Sequence, residues 1–323
     1  MNWGILGAGS VAQRRVMPAI NALEGHAVQT LMVRSAGRAR DLAASHGASN
    51  GVSSVDALLA DETIDAVYVS SPVVHHRDHV LAVVQAGKHV LCEKPMAMSP
   101  DACRDMIEAC NNAGVTLGTC YVLRGWAIYQ RIRDLIRNGD LGTLVELRAH
   151  LAKWTPREAD EWRLDPAQSG GGTLVDVATH YLDLFRFLAG EIVRVAYMGS
   201  SRVFEWQVEE TAHALVAFES GSHGSVTATC TVQTGGNLLE VYGSEGSLFL
   251  GKTLRIVRGD NVVEEAVVFP DYYSGILTDF AHCTKTSNTP IASGLDGLRG
   301  TQIVEAAYQS AREQKIVTVS GVG

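Results

Sequence analysis

The sequence predicts an α/β protein: a doubly wound parallel sheet at the N-terminus, then a C-terminal α+β domain built on a mostly antiparallel open sheet. Three observations carry that expectation. Apolar, β-branched runs alternate with helical patterns through the first third of the chain, as in a parallel sheet covered by helices. A glycine-rich turn joins the first strand to the first helix. Beyond residue 143 most of the pattern is short strands separated by Gly-rich turns, as in an antiparallel sheet.

In the first domain, expected over residues 1–122, a strand from Trp3 to Leu6 feeds a helix from Val11 to Leu23. A strand from Val28 to Val33 precedes a helix from Arg38 to His46, and a helix from Val55 to Leu59 precedes a strand from Ala66 to Ser70. A helix from His76 to Ala86 leads to the apolar strand His89 to Cys92, which Pro95 ends because proline has no amide to donate. Ser99 caps a helix from Pro100 to Ala113 that Gly114 stops, and a strand from Val115 to Thr119 follows. The second domain is expected over residues 123–323, opening with a helix from Ala127 to Arg137. Its strands are expected at residues 144–151, 193–203, 210–218, 225–233, 237–242, 247–250, 253–258 and 262–268, with helices at 174–188 and 295–314.

Length and charge narrow the function. The 323 residues are enough for two domains, and 46% hydrophobic with 19% charged residues describes a soluble globular chain. A net charge of -8 argues against a nucleic-acid partner. With no long apolar run and no h-region at the N-terminus, no membrane partner and a cytoplasmic location are expected. The cysteines at 92, 103, 110, 120, 230 and 283 form no Cys-x-x-Cys pair and read as reduced core thiols. His75 and His79 could share a helix face, but no metalloprotease-type carboxylate lies between them, so no metal site is expected.

The turn Gly7-Ala8-Gly9-Ser10-Val11-Ala12 fits the dinucleotide fingerprint, with alanine in the third small position. Gly7 and Gly9 permit a tight turn and close approach to pyrophosphate, and the backbone through Ser10 and Val11 points helix N-terminal amides at it. The second strand should end in an acid if the cofactor were NAD(H). Instead the chain runs Val33-Arg34-Ser35-Ala36-Gly37-Arg38, with cationic and hydroxyl groups suited to a 2′-phosphate. NADP(H) is therefore expected as the cofactor, with NAD(H) as the alternative. Lys94 places an ammonium at the carboxyl end of a buried strand, where ligands collect in such sheets. Asp176 and His180 are four apart on an expected helix and should face the same way.

Three separated motifs resemble the glucose-fructose oxidoreductase / inositol dehydrogenase / MocA family of NAD(P)-dependent oxidoreductases. They are Gly7 to Ala12, Ala86-Gly87-Lys88-His89-Val90-Leu91-Cys92-Glu93-Lys94-Pro95, and Trp162-Arg163 with Gly170 to His180. The resemblance covers essentially the whole chain. It implies a Rossmann domain followed by a substrate domain whose open sheet often serves as a homo-oligomer interface. It also implies hydride transfer between nicotinamide and a carbonyl or secondary alcohol of a sugar, cyclitol or related polyol. Lys94, Asp176 and His180 would be catalytic, histidine being suited to exchange a proton near neutral pH. Ser71, Pro72 and His76 would line the cofactor, Glu93 would lie beside it, and Trp162 and Arg163 would reach it. Arg124 and Tyr272 would approach substrate. Two other readings stay open: a dehydrogenase of dihydrodiol type, and a nucleotide-sensing regulatory protein without turnover.

Overall fold

A computed structural model describes residues 1–268 and 271–321. The chain divides into two compact units, Met1–Gly125 with Pro270–Arg299 and Trp126–Phe269 with Gly300–Gly323. A single boundary at 122/123 does not anticipate this division, because residues 271–299 return to the first unit and no local pattern announces a return.

The first unit holds six strands: β1 (Asn2–Leu6), β2 (Ala27–Met32), β3 (Asn50–Val52), β4 (Ala66–Val69), β5 (His89–Cys92) and β6 (Leu117–Thr119). All neighbours pair in parallel, in the order β3-β2-β1-β4-β5-β6. The order reverses between β1 and β4, the switch point at whose carboxyl end a crevice usually takes the ligand in such sheets. Every residue of β4 is buried, as expected of a strand covered on both faces. Leu6, Val67, Val69, Val90 and Cys92 form the strand side of one core cluster, against Val80, Val83, Cys103 and Met106 from the helices His76–Gln85 and Pro100–Ala113. Ser99 does cap the latter helix, accepting from the Ala102 amide, and Gly114 ends it with φ of 67°. The short strand β3 was not expected: Asn50-Gly51-Val52 carries little apolar signal. Gly51 is required there, since a Cβ would fall 2.1 Å from the Ala39 carbonyl oxygen.

The second unit is a nine-stranded mixed sheet. Its strands are β7 (Leu144–Ala152), β8 (Ile192–Ser200), β9 (Thr211–Phe218), β10 (His223–Thr229), β11 (Asn237–Gly243), β12 (Ser247–Leu250), β13 (Thr253–Arg258), β14 (Asn261–Ala266) and β15 (Val317–Thr318). The order is β14-β13-β12-β11-β7-β10-β9-β8-β15, antiparallel throughout except for the central pair β7/β10. Alternation along β7 buries Leu147, Ala149 and Leu151, and the helix Thr179–Ala189 packs against β7 and β10. Gly224 of β10 makes room for that helix, since a Cβ there would lie 2.9 Å from the Phe185 ring.

All six cysteines are buried and unbridged. Among the described residues, no helix is long and apolar enough to cross a membrane, and no group of three or more His, Cys, Asp or Glu side chains is placed to hold a metal ion.

Candidate active site

The crevice between β1 and β4 begins at Gly7, whose φ of 95° is unfavourable for any residue with a side chain. A Cβ on Gly7 would lie 2.8 Å from the Ser71 amide nitrogen, so glycine lets the two loops touch. Ser70 Oγ donates to the Gly7 carbonyl at 2.7 Å, and Gln13 donates to the Ala8 carbonyl at 2.7 Å, fixing the turn from both sides. Above Gly9 a Cβ would meet nothing within 4 Å. The helix starts at Ser10, passes through a π-helical turn at Ala12–Val16 and continues as Met17–Ala22. Its first-turn amides lack intrahelical acceptors by construction and carry the positive end of the helix dipole. An open glycine surface bordered by such amides fits the pyrophosphate of a dinucleotide.

At the end of β2, Ser35 caps the helix Ala36–His46, its hydroxyl accepting from the Arg38 amide. Arg34, Ser35 and Arg38 are exposed. Among the described residues no carboxylate pairs with Arg34 or Arg38, so both guanidinium groups are available to an incoming anion.

The loops after β4 and β5 are joined by His76. Expected among the cofactor-lining residues, it is instead only 1% exposed, with Nε2 2.8 Å from the Ser71 carbonyl and Nδ1 3.1 Å from the Pro95 carbonyl. Burial pushes its pKa down, against hydrogen bonds that oppose the shift. His76 is thus a strut between loops, while Ser71 is itself buried and Pro72 half-buried. Ser71 Oγ lies 2.8 Å from His79 Nδ1, and burial, with the neighbouring His75 and His76, lowers the His79 pKa to about 4.

Glu93 and Lys94 directly follow β5 and are half-buried. Tyr68 and Tyr273 each donate to the same Glu93 oxygen at 2.7 Å, and the Lys94 amide donates to the other oxygen at 3.1 Å. Burial and then the Glu93 charge push both phenols well above their ordinary pKa, so they stay protonated as donors. The carboxylate beside Lys94 is therefore held by three donors.

In the second unit, Asp176 lies within a π-helical turn, Leu174–Ala178, and His180 on the α-helix Thr179–Ala189 that continues from it. The expected single α-helix is thus π-wound over its first turn, and the four-residue spacing of Asp176 and His180 spans the change of pitch. The turn is tied down by Glu209, whose backbone oxygen accepts from the Thr173 amide and whose carboxylate accepts from the Leu174 amide and the Tyr308 hydroxyl. The preceding glycines serve this packing: a Cβ on Gly172 would fall 2.2 Å from the Glu209 carbonyl oxygen.

Arg157 donates to Asp176 at 2.6 Å and to Glu161 at 2.5 Å. Arg163 donates to Glu161 at 2.9 Å, places its Nε 3.8 Å from Asp176, and stacks its guanidinium over Trp162 with 4.5 Å to the ring centroid. Asp176, Arg157 and Arg163 border one cavity, together with Lys153, Thr155 and Trp206. Its polar wall can donate to oxygen-rich ligands.

Arg124 and Tyr272, expected to approach substrate, belong to the first unit. Arg124 is 6% exposed, donates to the Ile291 carbonyl at 3.0 Å and pairs with Asp296 at 2.9 Å, so it clasps the returning segment to the turn Val122–Gly125. Tyr272 is 44% exposed, with the Arg15 guanidinium 5.1 Å from its ring centroid; its neighbour Tyr273 is the one that reaches Glu93. Sequence reasoning missed Arg157, Tyr68 and Tyr273. The only signal for Tyr273 was its adjacency to Tyr272, and for Arg157 its four-residue spacing from Glu161.

Residues 1–121 match the family description "Oxidoreductase family, NAD-binding Rossmann fold", and residues 129–249 match "GFO/IDH/MocA C-terminal domain". The chain is 34% identical to a 1,5-anhydro-D-fructose reductase from Ensifer adhaerens, over 94% of this chain and 96% of the relative. It is 29% identical to a D-xylose 1-dehydrogenase (NADP(+)) from Haloferax volcanii, over 96% and 97%. Among solved structures, an aldose-aldose oxidoreductase from Caulobacter crescentus superposes with a TM-score of 0.90 at 28% identity, covering 98% of this chain and 99% of the other.

Proposed function

The chain belongs to the GFO/IDH/MocA oxidoreductase family, and from that premise we propose that it is an NADP(H)-dependent reductase or dehydrogenase of a sugar, cyclitol or related polyol. The observation that carries the cofactor preference is the pair of unmatched guanidinium groups, Arg34 and Arg38, after β2, where an NAD(H) site would place an acid. Arginine offers a 2′-phosphate paired, charge-assisted donors. The relatives' names support the substrate class, since they act on anhydrofructose and xylose.

The nicotinamide supplies or accepts the hydride; the chain's own residues handle binding and protons. Gly7 and Gly9 admit the pyrophosphate, and the amides from Ser10 and Val11 meet its charge. Ser71 and Pro72 border the same crevice. Lys94 polarises the substrate oxygen with its ammonium, and Tyr68 and Tyr273 hold the carboxylate of the preceding Glu93 in place. His180 delivers a proton to the oxygen in reduction and removes it in oxidation. Asp176 orients the substrate, itself oriented by Arg157. Trp162 and Arg163 serve the cofactor side.

A screen of carbonyl sugars and polyols with NADPH/NADP⁺ and NADH/NAD⁺, repeated with Lys94→Ala and His180→Ala, tests the reading. Turnover favouring the 2′-phosphorylated cofactor, lost in both variants, is expected. Unchanged turnover in both variants refutes the assigned residues, and a preference for NADH refutes the cofactor.

A further inference from the structure

The cavity that borders Asp176 has an aromatic wall with no part in the chemistry above. Trp206 lines it together with the side chains of Lys153, Thr155 and Arg157, which carry cationic and hydroxyl groups. Phe204 stacks on Trp206, with centroids 4.7 Å apart and planes at 17°, and Trp154 packs on Phe204 at 4.8 Å. Phe204 thereby covers one face of the Trp206 indole. Trp154 remains 42% exposed and Trp206 half-buried, so the three rings form a supported platform rather than a closed core.

The loop carrying that platform is built around a buried anion. Glu210 is 1% exposed, and one of its oxygens accepts from the Ser201 hydroxyl and from the Phe204 and Trp206 amides at 2.8, 2.9 and 3.2 Å. The other accepts from the Arg202 and Val203 amides at 3.1 and 2.8 Å. Five donors converging on one carboxylate fix residues 201–206 without help from the rings, so the rings are not needed to hold the loop.

A cavity lined by both an aromatic ring and charged, hydrogen-bonding groups suits a molecule that is apolar on one face and polar at its edge. A ring-closed sugar is one: axial C–H bonds make an apolar face that lies on the indole, while equatorial hydroxyls point outward to donors and acceptors. An open-chain polyol presents no such face.

We propose that Trp206 is a specificity-determining wall of the substrate site, selecting sugars in ring form over open-chain polyols by stacking on the apolar ring face. This rests on the sugar oxidoreductase reading above and narrows its substrate class. Glu210 is the positioning residue that presents the wall.

Steady-state kinetics test it, using the ring-form substrate that turns over best and a matched open-chain alditol or ketose. Losing one stacking partner is worth about a tenfold change in affinity. Trp206→Ala and Trp206→Leu should therefore raise KM for the ring substrate about tenfold, with kcat and the open-chain KM within about threefold. Trp206→Phe should restore most of the loss. Glu210→Gln should shift the ring substrate's KM in the same direction while leaving the Kd for NADPH unchanged. Equal losses for ring and open-chain substrates, an unchanged ring KM in Trp206→Ala, or a wild-type preference for open-chain substrates each overturns the proposal while leaving the oxidoreductase reading standing. Absence of turnover with every sugar and polyol overturns both.

Discussion

Tyr273 donates to Glu93 across 2.7 Å although 180 residues separate them in the chain. Tyr68 reaches the same oxygen from β4, and the rings of the two tyrosines meet edge to face at 89°. The segment that returns to the first unit thus delivers a side chain to the residue preceding Lys94.

Tyr273→Phe removes one donor from that carboxylate and keeps the ring packing. A hydrogen bond to a charged group is worth about 1.5–3 kcal/mol, so kcat/KM should fall by about tenfold or more, with a changed pH profile for kcat. Tyr272→Phe, on the exposed neighbour, should change neither. Equal effects in the two variants would show that the Glu93 contact has no bearing on turnover.

Arg157→Ala should lower kcat/KM by about ten- to a hundredfold, because it frees Asp176 from the pair that orients it. Arg157→Lys should recover little, since an ammonium cannot bridge Asp176 and Glu161 as the planar guanidinium does. The Kd for NADPH, measured by fluorescence, should stay within about twofold in both, as Arg157 is not among the residues assigned to the phosphates.

Replacing Arg34 and Arg38 with alanine should weaken NADPH by about 1–3 kcal/mol in all and leave NADH binding unchanged. Calorimetry with each cofactor reads the difference directly. Equal weakening of both cofactors would remove the 2′-phosphate from the account.

His79 carries a pH dependence of definite sign. Its folded pKa of about 4 lies below the ordinary 6.5, because burial and the neighbouring histidines disfavour the charged form. The stability it contributes is complete above pH 6.5 and is lost as pH falls from 6.5 towards 4. His26, His76 and His89 are shifted the same way, so the wild-type melting temperature should drop across that window. His79→Gln should flatten the drop, and an identical slope in the variant would show that Ser71 and its surroundings do not hold His79 neutral.

Much of the framework was legible locally. Strand β5 (His89–Cys92) and the helices Val55–Leu59, Pro100–Ala113 and Ala127–Arg137 have the bounds their periodicity and caps predict. Gly7 and Gly9 could be read as a cradle because fingerprint, strand and helix are contiguous. Strand β3 escaped because its three residues carry little apolar pattern and are held by pairing with β2. The role of Arg124 escaped because an arginine's burial depends on whether Asp296 arrives beside it.

Alternation, periodicity and turn chemistry in the sequence by themselves determined two domains, a parallel and a mostly antiparallel sheet, and a dinucleotide turn, since each depends on residues within a few positions of one another. Tertiary structure alone decided that Tyr273 rather than Tyr272 serves Glu93, that Arg157 holds Asp176, that His76 is a strut, and that β7 and β10 pair in parallel. Those contacts are set by which packed surfaces bring distant segments together and bury their polar groups only where partners await them, a condition no short stretch of sequence contains.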